Sequence, residues 1–180
     1  MLNLEYITDL NEFLQEKEKF LKSFIGRKLN ESWIVWDLED NEWFKDCPVV
    51  LVFDDIQLIF CTNKLEELSV TEGTINFENK PIIDWAEFDL EWRKDAIPEL
   101  GNCVGLTLEN IYVLEYEFST TIIESKEQPN LEGSTKGEWL LNGLEFKFID
   151  GFISLFNALD ENGISSKKED TSDLRRYQVT

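Results

Sequence analysis

The stretch Gly143 to Asn157, GLEFKFIDGFISLFN, restricts this chain more than any other, because it reads as a β-hairpin. Leu144, Phe146 and Phe148 alternate with polar positions. Asp150-Gly151 offers a two-residue turn whose positive φ angles suit Asp and Gly, and Phe152 to Phe156 return as the second strand. A fainter copy lies upstream in Val49 to Phe60, VVLVFDDIQLIF, with Asp54-Asp55 at the bend.

The two hairpins belong to a wider repeat. Leu21, Ile25, Gly26, Leu29, Trp33, Ile34 and Val35 align without gaps on Leu100, Val104, Gly105, Leu108, Tyr112, Val113 and Leu114, 79 residues later. Phe53, Asp55, Leu58 and Phe60 align on Phe148, Asp150, Ile153 and Leu155, 95 residues later. The change of offset is an insertion that the polar stretch Ser119 to Gly137, read as a mobile loop, is long enough to hold at small entropic cost. Each unit reads as a helix, a long strand and a hairpin, spanning 9–70 and 84–165. The expected fold is α+β and mostly antiparallel: a pseudo-duplicated two-sheet sandwich or partly open barrel with one or two flanking helices.

Between these landmarks, Asp9 to Lys22 reads as an amphipathic helix, with Asp9 as cap, Glu12 three residues later and Gly26 as the stop. Lys28 to Asp37 is a strand rich in aromatic and β-branched residues, followed by an acidic loop from Leu38 to Asp46. Leu65–Val70 and Thr74–Phe77 read as two short strands around Glu72-Gly73. Asp84 to Ala96 fits either period. The Asp84 and Glu87 capping spacing favours a helix that Pro98 would end. Val104 to Phe118 is a long strand or a pair of strands, and Glu138 to Asn142 a short one. Residues 1–165 are expected to form one domain, with 166–180 a charged tail frayed at its end.

Composition then narrows the chemistry. With 17 basic against 37 acidic side chains the net charge is −20, which repels nucleic acid and anionic membranes and attracts basic proteins. Histidine is absent, so Ser-His-Asp and Cys-His nucleophiles, HExxH zinc sites and the usual near-neutral general base are all excluded. The glycines form neither GxGxxG nor a phosphate loop. A carboxylate pair with stacking tryptophans could hydrolyse a glycoside, yet nothing selects one pair among 37 acids. Asp37, Glu39 and Asp40, or Asp54 and Asp55, lack the spacing of a calcium loop. Cys47, Cys61 and Cys103 have no CxxC pairing and read as buried, reduced thiols. No catalytic residue, metal or cofactor is therefore expected. The N-terminal stretch MLNLEYITDLNEF lacks a basic region leading into an apolar run, and no stretch of 18 apolar residues exists, so a cytoplasmic location is expected.

The segment Trp36 to Asp46, WDLEDNEWFKD, has the make-up of a protein contact, with aromatic rings able to fill pockets and a charged rim able to speed encounter. Trp36, Asp37, Glu39, Asp40, Glu42, Trp43 and Asp46 are the candidate partner-binding residues. This acidic, Trp-rich loop before PVVLVFDDIQLIF, together with FNALDENGIS after the second hairpin, resembles the small acidic immunity proteins of bacterial polymorphic toxin systems. The resemblance implies a non-catalytic inhibitor that covers the active site of a basic, nuclease-like toxin. A DNA mimic that occupies a nucleic-acid-binding protein, and a β-barrel that holds a small ligand, are the alternatives.

Overall fold

The computed structural model describes residues 4–81, 83, 88–119 and 137–180. Asp9 caps the first helix by accepting a hydrogen bond from the Glu12 amide at 2.9 Å, and α1 (Leu10–Lys22) buries Phe13 and Leu21 against the sheets. The chain then enters β1 (Leu29–Asp37), β2 (Glu42–Trp43), β3 (Val49–Phe53), β4 (Ile56–Thr62), β5 (Leu68–Gly73) and β6 (Leu90–Lys94). A one-turn helix, α2 (Pro98–Gly101), precedes β7 (Leu108–Phe118), β8 (Glu138–Phe148), β9 (Gly151–Asn157), β10 (Asn162–Ser165) and β11 (Leu174–Gln178). The first sheet runs β2-β1-β3-β4-β5 with β6 also paired to β1, and the second runs β10-β9-β8-β7-β11. All pairs are antiparallel, and the arrangement is sandwich-like rather than a closed barrel.

The duplication is visible bond by bond. Lys28 pairs with Thr107, the residue 79 positions later, as it would across a twofold axis. Around that bridge the hydrogen bonds are reciprocal: Gly26 N to Leu108 O at 2.8 Å answers Gly105 N to Leu29 O at 2.7 Å. Leu29 N to Leu106 O at 3.0 Å likewise answers Leu108 N to Arg27 O at 2.8 Å. Gly26 and Gly105 stand at φ +86° and +91°, a region open to glycine without cost. The register skips one residue at Asn30 in β1 and at Glu109 in β7. Asp54 N to Lys28 O and Ile149 N to Thr107 O then repeat the contact of each hairpin turn with the bridge.

The correspondence extends further than the alignment reached. Leu90–Lys94 pairs with Asp37–Trp33 as Leu174–Gln178 pairs with Tyr116–Tyr112, an offset of 84 for the closing strands. Three expectations are thereby corrected. Asp84 to Ala96 is not a helix where it is described: Leu90–Lys94 is a strand that finishes the first unit, since Leu90 and Trp92 must share one apolar face. Asp84, Trp85 and Glu87 lie outside the described residues. Pro98 opens α2 instead of ending a helix, since its missing N–H is harmless in the first turn. Residues 166–180 are not a frayed tail: β11 completes the second sheet and Val179 is buried.

Smaller corrections concern the turns. The second hairpin turns at Ile149-Asp150, because Phe148 pairs with Gly151, and neither Asp150 nor Gly151 has positive φ. The first turns at Asp54-Asp55, with Asp54 at φ 54°. Leu68–Gly73 is one strand passing through the expected Glu72-Gly73 turn, and Thr74–Phe77 is not a strand. The long strand begins at Leu108, and Glu138 to Asn142 runs on into β8 across an extra residue, Asn142. The acidic loop is partly a hairpin, with Trp36 opposite Trp43 and Asp37 opposite Glu42. The loop expected at Ser119 to Gly137 lies outside the described residues from 120 to 136.

One core fills the space between the sheets and draws on both units. Phe53 and its counterpart Phe148 meet there with ring centroids 6.4 Å apart and planes 12° from parallel. Among the described residues no helix is long and apolar enough to cross a membrane.

Candidate protein-binding surface

β1 starts at the Lys28–Thr107 bridge and ends at Asp37, so the hairpin over Asp37 to Trp43 lies at the far end of the sandwich. Two further loops meet it there. Asn162, fully buried, accepts from Thr62 N at 2.8 Å and donates to Lys45 O at 2.6 Å and Cys47 O at 3.0 Å. Asn157 donates to Lys64 O at 2.6 Å and accepts from Asp160 N at 3.0 Å. Two buried amides thus bind residues 44–47, 63–67 and 158–161 together through their backbones. Leu159 and Asp160 are held at φ 61° and 75°, a conformation that costs side-chain-bearing residues free energy.

The candidate residues divide into two groups. Glu39, Asp40, Glu42 and Asp46 are exposed. Although the residue is exposed, partial loss of water around its carboxyl, then the nearby Glu161 carboxylate, raises the Asp46 carboxyl above its ordinary range. Lys45 meets Glu161 at 2.6 Å, which ties the hairpin to the 158–161 loop by charge as well. Asp37, by contrast, is buried and builds the turn, its Oδ1 accepting from the Glu39 and Asp40 amides at 2.8 and 3.3 Å.

Trp36 and Trp43 are half-buried with their rings against the shared core. The Arg93 guanidinium stands 4.5 Å from the Trp36 ring centre, and Trp36 Nε1 donates to Asn41 Oδ1 at 3.2 Å. Trp43 Nε1 is buried and has no hydrogen-bond partner among the described residues. The exposed apolar side chains at this end include Leu38, 37% exposed, Phe88, 39% exposed with its ring 4.9 Å from that of Phe44, Leu65, 36%, and Leu159, 72%. Sequence reading missed Leu65 and Leu159. The one local signal was the polar DENG run after Leu159, which marks a turn able to hold that leucine outward.

Cys47, Cys61 and Cys103 are buried free thiols, and burial pushes the Cys47 thiol up to about 12 and raises the other two. Among the described residues no three His, Cys, Asp or Glu side chains are grouped to hold a metal ion. No protein-family model matches the chain, and no curated protein or solved structure is similar to it.

Proposed function

We propose that this chain is a non-catalytic acidic binding protein that captures a basic protein at the far end of the sandwich, as an immunity protein covers a cationic toxin. One observation carries the reading: Asn157 and Asn162 sew residues 44–47, 63–67 and 158–161 together, so that Leu65 and Leu159 stand exposed on the same loops as Asp46 and Asp160, and the hairpin leading into residues 44–47 adds Leu38 and the exposed acids Glu39, Asp40 and Glu42. A protein contact needs an apolar centre that loses its water and a charged rim that does not. The loops are fixed before any partner arrives, which lowers the ordering cost of association. The charge of −20 draws a cation inward from beyond contact distance, so salt should slow association more than it speeds dissociation.

Leu65→Asp with Leu159→Asp tests the assignment against general charge attraction, because it adds negative charge while removing the apolar centre. Immobilised full-length protein should retain a basic protein from its own host, and the double variant should lose it. Equal or better retention by the variant would show attraction by overall charge alone and end the proposal. Displacement by duplex DNA of several unrelated captured proteins would point to a DNA mimic instead.

A further inference from the structure

The outer faces of the two sheets carry opposite chemistry at matching positions. Trp33, Val50, Ile59 and Trp92 of the first sheet correspond to Tyr112, Glu145, Ser154 and Arg176 of the second. The first face is a small apolar core sealed by the chain itself. Phe77 stacks on Trp33 with centroids 4.2 Å apart and meets Trp92 edge-on at 5.4 Å. Gln57 fixes this cover by bonding Ile75 O at 2.9 Å and Ile75 N at 2.6 Å.

Among the described residues the second face has no such cover. Phe152 replaces Gln57, and the stretch between the last two strands, Ser166 to Asp173, contains no apolar residue. A cavity of about 580 Å³ remains, within the size range of small-ligand sites. Leu114, Leu140, Phe152 and Phe156 supply its apolar wall, and Glu145, 3% exposed, accepts from Arg176 Nε at 2.6 Å inside it. Arg176 also donates to the Glu169 carbonyl.

A buried ion pair is a weak source of stability, and apolar side chains of similar size usually serve as well or better. Here the other half of the same chain holds the apolar version. Conformational stability therefore does not explain Glu145 and Arg176. The sign of the ligand follows from the lining, where Glu117, Glu145, Glu169 and Asp173 outnumber Lys167 and Arg176. The guanidinium is already engaged, so an anion would meet mostly carboxylates.

We propose that this cavity binds a small organic cation with an apolar body, an aryl- or alkylamine whose ring or chain lies on Phe152 and Phe156 while its ammonium faces the carboxylates. The cavity adjoins the acidic end described above and shares Leu65, Asn157 and Leu159 with it, while its ion pair and aromatic wall belong to the second sheet.

Phenethylamine and phenylacetate, matched in shape and opposite in charge, are the probes, titrated into full-length protein by calorimetry. The amine should bind at least about tenfold more tightly than the acid. Ser154→Phe, which fills the cavity and leaves every charge in place, should abolish amine binding while the circular dichroism is unchanged. Glu145→Gln should weaken it about tenfold. Undiminished amine binding by S154F would assign the effect to the general negative field and overturn the site. Tighter binding of phenylacetate, or no heat from either probe, would overturn it equally. Should E145Q fail to fold, S154F and the amine-to-acid ratio decide.

Discussion

The two halves of this molecule share a backbone plan and differ in what they do with its outer surface. The first half covers its outer sheet face with Ile75 and Phe77, whereas among the described residues the second leaves a cavity over a buried Glu145–Arg176 pair. On the inner faces the halves stay matched, because both build the same core around Phe53 and Phe148. Packing at a shared core ties the inner positions to each other, while an outer face answers only to whatever covers it. Divergence is therefore expected on the outside.

The heaviest test falls on the matched inner faces. Phe53→Ala and Phe148→Ala should each cost about 3–5 kcal/mol in urea unfolding, and the two costs should agree closely. A single transition in both variants is expected, since one core serves both sheets. Two separate transitions would show that the halves are stable alone and break the comparison at its root.

Next comes the outer contrast. Arg176→Met leaves the Glu145 carboxylate buried without its cation and should cost about 3 kcal/mol. Transplanting the first half's residues, Glu145→Val with Arg176→Trp, should recover most of that loss. If Arg176→Met is neutral, the pair is more solvated than its burial indicates and the contrast between the faces weakens. A smaller effect checks the axis. Gly26→Ala and Gly105→Ala should each cost about 1 kcal/mol for a left-handed backbone, since no atom crowds the new methyl group at either site. Unequal costs would mean that the reciprocal bonds across the bridge are not equivalent in strength.

Much of this plan was legible in the sequence, and the reasons are local. Asp9 and Glu12 mark a helix start because the cap bonds within one turn, and the offsets of 79 and 95 follow repeated apolar spacing. The closing strands escaped because LEWRK and LRRYQ share little beyond their first leucine, and their identity comes from pairing with β1 and β7. The hairpin acids were found from composition, but Trp36 and Trp43 turn toward the core because a cross-strand pair shares one face, here the inner one. Glu145 and Arg176, 31 residues apart, formed no motif. Only the sheet register makes them neighbours.

The smallest effect concerns a pair that differs between the halves in charge alone. Lys94 Nζ donates to Glu31 Oε1 at 2.6 Å across β1 and β6, and the matching positions across β7 and β11 hold Gln178 Nε2 donating to Asn110 Oδ1 at 2.8 Å. The Lys94 bond, then that from Trp33 Nε1, holds the Glu31 carboxyl below its ordinary value, and the same contact raises the Lys94 ammonium. A carboxyl depressed on folding stabilises the protein above its unfolded pKa, and that contribution disappears as pH falls through its folded pKa. For the raised ammonium the contribution is complete below the unfolded lysine value and fades as pH rises through the folded one. Glu31→Asn with Lys94→Gln, which copies the second half into the first, should therefore lose a little stability near neutrality and converge on the parent protein as pH falls through the depressed pKa of the Glu31 carboxyl. Both side chains are partly exposed, so screening keeps the difference small and added salt should shrink it further. Asn110→Glu with Gln178→Lys should give the second half the same dependence on pH. A gap between parent and variant that stays constant from neutrality to acid would show that Glu31 and Lys94 act as polar neighbours, no different in kind from the amides opposite them.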